Sequence, residues 1–389
     1  MIFPTSLGQS EQYDFEFIEA GPDLPRVLDE VCDYSGLLKI DNFDAESYFA
    51  EFQLRCRMSQ PVGAYRFRDA DVTNGWMLIS KNECELVYNL LPGMGWDKTH
   101  LDQVLADESF RSVQTQPERR QRLPGKYVVL GCPGVFTYGH FLVDISIRIQ
   151  LVKEMALHAG AKYLIPAPTH PWQLAILEVA GISPDDCVAV GNADSFQLEE
   201  MLVPVVTGLN GVLNRVLAQR TFRRMKEVMN NIAGPKSSER SLIFPLHTTM
   251  SSVHHPRGVE QRDLIVRTLQ KDFGVEAFDP LQLSFAQQVD KFRNARLVVG
   301  EDSSALHNIL WSDGADLAVM APKGQFNYYH IGLQAIDGGR TAILWGDVTD
   351  QERGRFQMNL DSLCTTVEGL LREHRAPEFD IPLIAGSSH

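Results

Sequence analysis

The 389-residue chain carries a formal net charge of −14, with 44% hydrophobic and 22% charged residues, the balance of a soluble globular protein long enough for two domains. The acidic excess leaves no basic face for a nucleic-acid backbone, and no apolar run approaches the ~20 residues that span a bilayer. The start MIFPTSLGQSEQYDF lacks a basic region followed by an apolar core. The six cysteines (Cys32, Cys56, Cys84, Cys132, Cys187, Cys364) form no CxxC pair and read as reduced, mostly buried thiols, so the expected location is the cytoplasm.

In chain order, residues 44–58 have a helical pattern. Residues 65–88 alternate apolar and polar positions about Asn74-Gly75, the favoured type I′ turn, which predicts an antiparallel hairpin. Asp69-Ala70-Asp71 has the spacing of a metal-binding DxD but stands before that hairpin and reads as a turn. The polar, basic stretch 114–125, QTQPERRQRLPG, reads as an exposed loop. A regular alternation follows: strand 127–130, a Gly-containing loop 131–139, helix 140–158, strand 163–165 and helix 171–179. Pro171 lies in the first turn of that helix and Gly181 lies past its end. Strands 187–190 and 201–205 and a long helix 212–232 come next. Gly234-Pro235-Lys236-Ser237-Ser238 is the best linker in the chain. Beyond it the alternation restarts with strand 242–246, helix 259–272, strand 275–278, helix 285–294 under a Ser284/Gln287 capping box, and strand 316–320. The tail from 351 holds one amphipathic helix. Strands alternating with helices imply parallel, doubly wound sheets.

Three stretches hold residues with chemistry. In 296–311, RLVVGEDSSALHNILW, a β-branched strand is followed by a polar turn, Glu301-Asp302-Ser303-Ser304. A short helix then begins at Ala305 with Ser303 or Ser304 as its cap. Strand, small-residue turn and helix N-terminus together receive phosphate, although the same pattern also serves as a plain turn. In 137–150, TYGHFLVDISIRIQ, the residues His140, Asp144 and Arg148 recur every four positions and share one helix face. An imidazole suits a general base at neutral pH, and an acid one turn away holds its tautomer. The alternative is a helix-start histidine beside a surface Asp144–Arg148 pair. In 247–263, HTTMSSVHHPRGVEQRD, Arg257 can meet phosphate in bidentate fashion. His247, His254 and His255 read as donors, metal ligands or solvent-exposed side chains. Trp172 reads as a sugar platform or a core residue, and residues 323–329 as a cleft lining or an aromatic cluster under the last helices. No G-x-G-x-x-G fingerprint is present, which counts against an NAD enzyme.

These motifs resemble those of glycosyltransferase family 61. Its signature runs Q, then A, then VVG-x-HG-(S/A)-x-L-x-N-x-(L/I)-F. Gln288, Ala295, Val298, Val299, Gly300, Ser304, Leu306, Asn308 and the aromatic Trp311 stand at matching positions. Asp302 and Ser303 replace the family's usual His and Gly. His140, Phe141 and Asp144 match a second motif. Arg257 matches one basic position of a third, in which Leu246 or His247 replaces a strand-end Arg and Glu260 an Asn. The resemblance covers about 60–345 and implies two Rossmann-like domains in a GT-B arrangement with a small β-rich N-terminal region. Residues 1–233 would form the acceptor side and 234–389 the donor side, with the C-terminal helix packing back on the first domain. The implied activity is that of an inverting glycosyltransferase in surface or capsular polysaccharide synthesis. It would move a sugar from a nucleotide-sugar to a glycan or glycolipid hydroxyl, with no cofactor, no divalent metal and at most peripheral membrane association. His140 would be the base and Asp144 its orienter. Arg257, Glu301, Asp302, Ser303, Ser304, His307 and Asn308 would hold the donor. The departures leave two other readings open, a non-catalytic glycan- or nucleotide-binding relative and a nucleotide-sugar epimerase-like enzyme.

Overall fold

The computed structural model describes residues 15–20, 37–40, 62–73, 78–81, 85–86, 120–131, 135–167, 169–191, 194–205, 213–234, 236–237, 239–246, 258–324, 327, 329–334 and 336–372. Their strands fall into two separate eight-stranded sheets. The first is built on β6 (Gln121–Val129), β7 (Ala161–Pro166) and β8 (Cys187–Val190), which run parallel, with β9 (Ser195–Val205) parallel to β6 on its other side. β3 (Gly63–Thr73) adds antiparallel to β9, and β1 (Phe15–Glu19) and β4 (Leu78–Lys81) pair antiparallel with β3; β5 (Glu85–Leu86) closes that edge. The parallel strands read as Val/Ile/Leu runs because helices cover them: Val128, Val129, Leu164 and Ile165 are buried on both faces.

The second sheet has β10 (Ser241–Pro245) parallel to β12 (Glu276–Phe278) and β13 (Ala295–Glu301). It continues in parallel through β14 (Asp316–Pro322) and β15 (Thr341–Asp350). β16 (Arg355–Gln357) runs antiparallel to β15 and carries β11 (Gly258–Val259). Period-two alternation splits its core. Val298, Leu317 and Val319 face the first sheet's core, whereas Leu297, Val299, Ala318 and Met320 face away.

The helices are α1 (Tyr138–His140), a π-helical turn Phe141–Ile145 and α2 (Ser146–Glu154) in one rod, then α3 (Pro171–Val179) and α4 (Arg215–Ala233). The second half has α5 (Arg262–Phe273), α6 (Phe285–Arg293), α7 (Tyr329–Gln334) and α8 (Leu360–Leu371). The Ser284/Gln287 capping box forms as expected, with Gln287 N donating to Ser284 Oγ and Ser284 N to Gln287 Oε1. The inner face of the second sheet, α6 and a 3₁₀ helix at Ser304–Trp311 share one apolar core with α4 and the first sheet, so the two halves meet at a packed seam.

Several expectations need correction. The stretch 114–125 is not a loop throughout, because β6 already begins at Gln121. It pairs there with β9 through Gln121↔Phe196 and Leu123↔Leu198, and a register shift between Leu123 and Lys126 absorbs Pro124-Gly125. Its polarity reflects two exposed faces. Asp69-Ala70-Asp71 lies inside β3, with Asp69 at a positive φ of 48°; Asp69 meets Arg122 at 3.3 Å and Asp71 meets Arg120 at 3.0 Å. The C-terminal helix does not reach back to the first half. Its apolar stripe, Leu363, Val367 and Leu370, packs with Ala318, Met320, Ala342 and Leu344 on the outer face of the second sheet. That face would otherwise be wet, at about 1.5–3 kcal/mol per large side chain. The N-terminal region does not stay with the first half either, since β2 (Leu37–Ile40) pairs in parallel with β15. The hairpin strands β3 and β4 pair as expected, while the Asn74-Gly75 turn and the helix read at 44–58 lie outside the described residues. Among the described residues no helix is long and apolar enough to cross a membrane.

Candidate functional site at the seam

The seam joins the carboxyl ends of β6 and β13, and the two motif stretches meet there. Gly139 presses on His307 of the 3₁₀ helix. A Cβ at 139 would lie 2.1 Å from His307 Nδ1, so the close approach requires glycine. Beside it, Tyr138 Oη donates to Asn308 Oδ1 at 2.6 Å, and Trp311 Nε1 donates to the same oxygen at 3.0 Å. Asn308 Nδ2 donates to Ala305 O at 3.2 Å and to Gln288 Oε1 at 3.3 Å. Gln288 Nε2 in turn donates to Pro280 O and Leu283 O. A fully buried amide must satisfy both ends, and Asn308 does so within the protein. Asn308, Gln288 and Trp311 therefore build the seam, and Asn308 has no free group to offer a donor as the sequence reading expected.

Above this layer lies a chain of titratable groups. His140 Nδ1 is 2.9 Å from Asp144 Oδ2, and Tyr329 Oη donates to Asp144 Oδ1 at 2.7 Å. Asn327 Oδ1 accepts from Tyr329 N at 3.1 Å, which turns the amide so that Nδ2 donates to His307 Nε2 at 3.0 Å. His307 therefore carries its lone pair on Nε2 and its proton on Nδ1. His330 Nε2 donates to Asp302 Oδ1 at 2.8 Å. The rings interlock edge to face: His140 with Tyr329 at 5.8 Å, His307 with Tyr329 at 5.3 Å and His307 with His330 at 5.2 Å between centroids. His140 is the member that opens to solvent, its side chain 40% exposed against 13% for Asp144, 15% for Asp302 and 0% for His330.

Electrostatics separates the histidines. Burial, and then the neighbouring His330 and His140, hold His307 well below the ordinary imidazole range, so it is neutral. Burial also opposes protonation of His140, but the hydrogen bond and charge of Asp144 outweigh it and raise His140 above its usual value. The alternative reading of a surface Asp144–Arg148 pair does not stand: Arg148 is buried and its Nη1 donates to Gly131 O at 3.4 Å. The helix passes through a π turn at Asp144. Such turns often accompany functional sites.

The turn expected at 301–304 is only partly a turn. Glu301 still belongs to β13, 1% exposed. It accepts from Val259 N at 2.8 Å and forms a two-pronged ion pair with Arg262. Gly258, at φ 124°, leaves room for it, since a Cβ there would lie 2.2 Å from Glu301 Oε2. Glu301 thus pins the start of α5 and is not placed to hold a donor. Asp302 N continues the strand by donating to Met320 O, and its carboxylate is met by His330. Ser303 makes no side-chain cap; its buried Oγ has no hydrogen-bond partner among the described residues. Ser304 is half-buried. The short helix expected after it forms, as a 3₁₀ helix over Ser304–Trp311. His307 is buried and committed to Asn327 and Gly139. Arg257, His247, His254 and His255 lie outside the described residues. Trp172 packs against Tyr138, Phe141 and His170 at 5.3–5.8 Å and is partly buried.

His330 was missed by the sequence reading, and Asn327 and Tyr329 were read only as members of the 323–329 segment. Their signal was an amide–aromatic–histidine cluster just after a buried strand.

The family model described as Glycosyltransferase 61 matches residues 138–325, a span that opens on Tyr138 and takes in 247–263, 296–311 and all but the first residue of 137–150. Residues 138–325 belong to glycosyltransferase family 61. Glycosyl transfer is the reaction class that goes with that membership. Among solved structures, the E. coli heptosyltransferase WaaC with ADP is similar over 64% of this chain and 100% of that one, at 10% identity and a TM-score of 0.32. The glycosyl transferase family 9 protein from Veillonella parvula DSM 2008 is similar over 63% and 96%, at 7% identity and a TM-score of 0.32. At that level neither bears on the chemistry of this chain. No curated protein matches it.

Proposed function

We propose that the family 61 chain is an inverting glycosyltransferase of GT-B type that moves a sugar from a nucleotide-sugar to a glycan or glycolipid hydroxyl. The observation that carries this is the His140–Asp144 pair, 2.9 Å apart, with His140 open to solvent and the pair joined through Tyr329 to the half that bears Asp302 and Ser303. In a single displacement the enzyme needs one base and no covalent nucleophile. His140 Nε2 takes the proton of the acceptor hydroxyl as it attacks the anomeric carbon, and Asp144 stabilises the imidazolium. Asp302, Ser303 and Ser304 at the end of β13, with Arg257, hold the donor. Ser303 Oγ, which has no hydrogen-bond partner among the described residues, is a hydroxyl available to a ligand oxygen, and Arg257 would offset charge on the leaving diphosphate without a divalent cation. Glu301, His307 and Asn308 support that turn from behind. The proposed division is an acceptor half, 1–233, and a donor half, 234–389, apart from β2. Synthesis of a surface or capsular polysaccharide at the cytoplasmic face of the membrane is the proposed setting.

The test is transfer from a panel of nucleotide-sugars to oligosaccharide and lipid-linked acceptors, with product anomeric configuration read by NMR. Inverted product lost in His140→Ala is the expected result. Nucleotide binding with neither transfer nor donor hydrolysis would make the chain a binding relative. Turnover of the nucleotide-sugar with no acceptor would make it an epimerase-like enzyme.

A further inference from the structure

The base on the first sheet is completed by a residue of the second. Asp144 has two carboxylate oxygens: Oδ2 takes His140 Nδ1 at 2.9 Å, and Oδ1 accepts from Tyr329 Oη at 2.7 Å, a length typical of a hydroxyl donating to a carboxylate. The terminal torsion of an aspartate is broad and close to two-fold, so one partner alone does not fix the carboxylate plane. The second partner does. Tyr329 is itself well held. It is 5% exposed, its N donates to Asn327 Oδ1, and its ring is wedged between His140 and His307. His307 in turn presses on Gly139, the residue before His140.

We propose that Tyr329 is a positioning residue: by occupying Asp144 Oδ1 it aims Oδ2 at His140 Nδ1 and so holds the imidazole with its lone pair on Nε2, the nitrogen that can face an acceptor hydroxyl. Neutral imidazole has two tautomers, and only the one protonated on Nδ1 leaves Nε2 free as a base. Tyr329 reaches Asp144 from α7 of the second half, so the base is complete only while the seam between the halves is closed. The donor half thereby orients the group that activates the acceptor.

This inference rests on His140 as the base, yet it is read without turnover. The experiment records ¹⁵N-histidine spectra of the full chain, free of substrate, at a pH where His140 is neutral. The His140 signals are those that vanish in His140→Ala. Wild type should show the Nδ1–H tautomer. Tyr329→Phe keeps the ring and removes only the hydroxyl. It should give a mixture of tautomers, and the turnover number should fall roughly tenfold with the donor KM unchanged, the size of one lost hydrogen bond to a charged group. Asp144→Asn should disturb the tautomer at least as much. A wild-type His140 tautomer in Tyr329→Phe overturns the proposal, whatever happens to turnover. Full turnover in His140→Ala, with the tautomer still disturbed in Tyr329→Phe, would remove the catalytic base but leave Tyr329 as the residue that orients His140.

Discussion

The ends of β6 and β13 look alike in sequence: an apolar strand, a small-residue turn, then a helix start bearing His, Asp, Ser or Asn. They differ in what those polar groups do. After β6, His140 and Asp144 face each other at the surface of the seam, and the His140 side chain is 40% exposed. After β13, most of the polar groups are spent inside the protein: Glu301 on Arg262 and Val259, Asn308 on Tyr138 and Trp311, His307 on Asn327. A motif therefore mixes residues that present chemistry with residues that build the platform under it, and burial with satisfied hydrogen bonds separates the two kinds. Of the polar side chains described between Glu301 and Asn308, Asp302, Ser303 and Ser304 are those not taken up in supporting the seam.

The largest test of this contrast is His140→Ala. If the β6 end supplies the base, turnover should fall by about 10²–10⁴-fold. Nucleotide affinity by calorimetry should stay near wild type, because the donor is assigned to the other half. Near-normal turnover would move the base across the seam.

The β13 end should instead fail by unfolding. Glu301→Ala removes a carboxylate that is 1% exposed and leaves Val259 N and Arg262 without their acceptor. Loss of a buried pair costs 3–5 kcal/mol, and Arg262, with its side chain 30% exposed, can recover part of its hydration, so about 3 kcal/mol is expected from urea denaturation. Wild-type stability together with lost donor affinity would return Glu301 to the donor site.

Gly139→Ala probes the contact between the two ends. The backbone at 139 does not demand glycine, but the added Cβ would meet the His307 ring at 2.1 Å. Overpacking of this kind costs about 1–3 kcal/mol and should open the seam, with a lower Tm and reduced turnover together. A neutral substitution would mean that the halves do not rest on this contact.

The parallel strands were legible because Val/Leu/Ile runs bounded by Gly or Pro have few other solutions, and the Ser284/Gln287 box marked its helix start correctly. Glu301 misled because Gly300 looks like a strand end, yet parallel pairing with β14 carries the strand one residue further, to Glu301↔Met320. The seam partners were not legible for a different reason. Tyr329 and Asp144 are 185 positions apart, and no local period connects a residue after β14 with a helix after β6. Likewise the amphipathic stripe of α8 announces that it must be buried but not which sheet face receives it. Local patterns specify elements; which ends meet is decided by packing of the whole chain.

The smallest effect is also the most diagnostic, because it turns activity and stability in opposite directions with pH. Asp144 raises the His140 pKa above its ordinary value against the opposing pull of burial. A base must be neutral to act, so turnover should rise with pH through a limb that lies above ~6.5, the unperturbed histidine value. A group whose folded pKa is raised stabilises the fold in its protonated form. That contribution is fully present below the unfolded value and is lost as pH rises through the folded one. The window in which the enzyme gains activity is thus the window in which this pair stops stabilising it. Asp144→Asn removes the charge and one of the two acceptor oxygens while burial stays, which lowers the His140 pKa. The acidic limb should then move to lower pH, with a smaller maximal rate, because the imidazolium formed in the transition state loses its counter-charge. The stability difference between acid and neutral pH that belongs to this pair should disappear with it. A pH–rate profile that keeps its wild-type limb in Asp144→Asn would show that the titrating base is not His140.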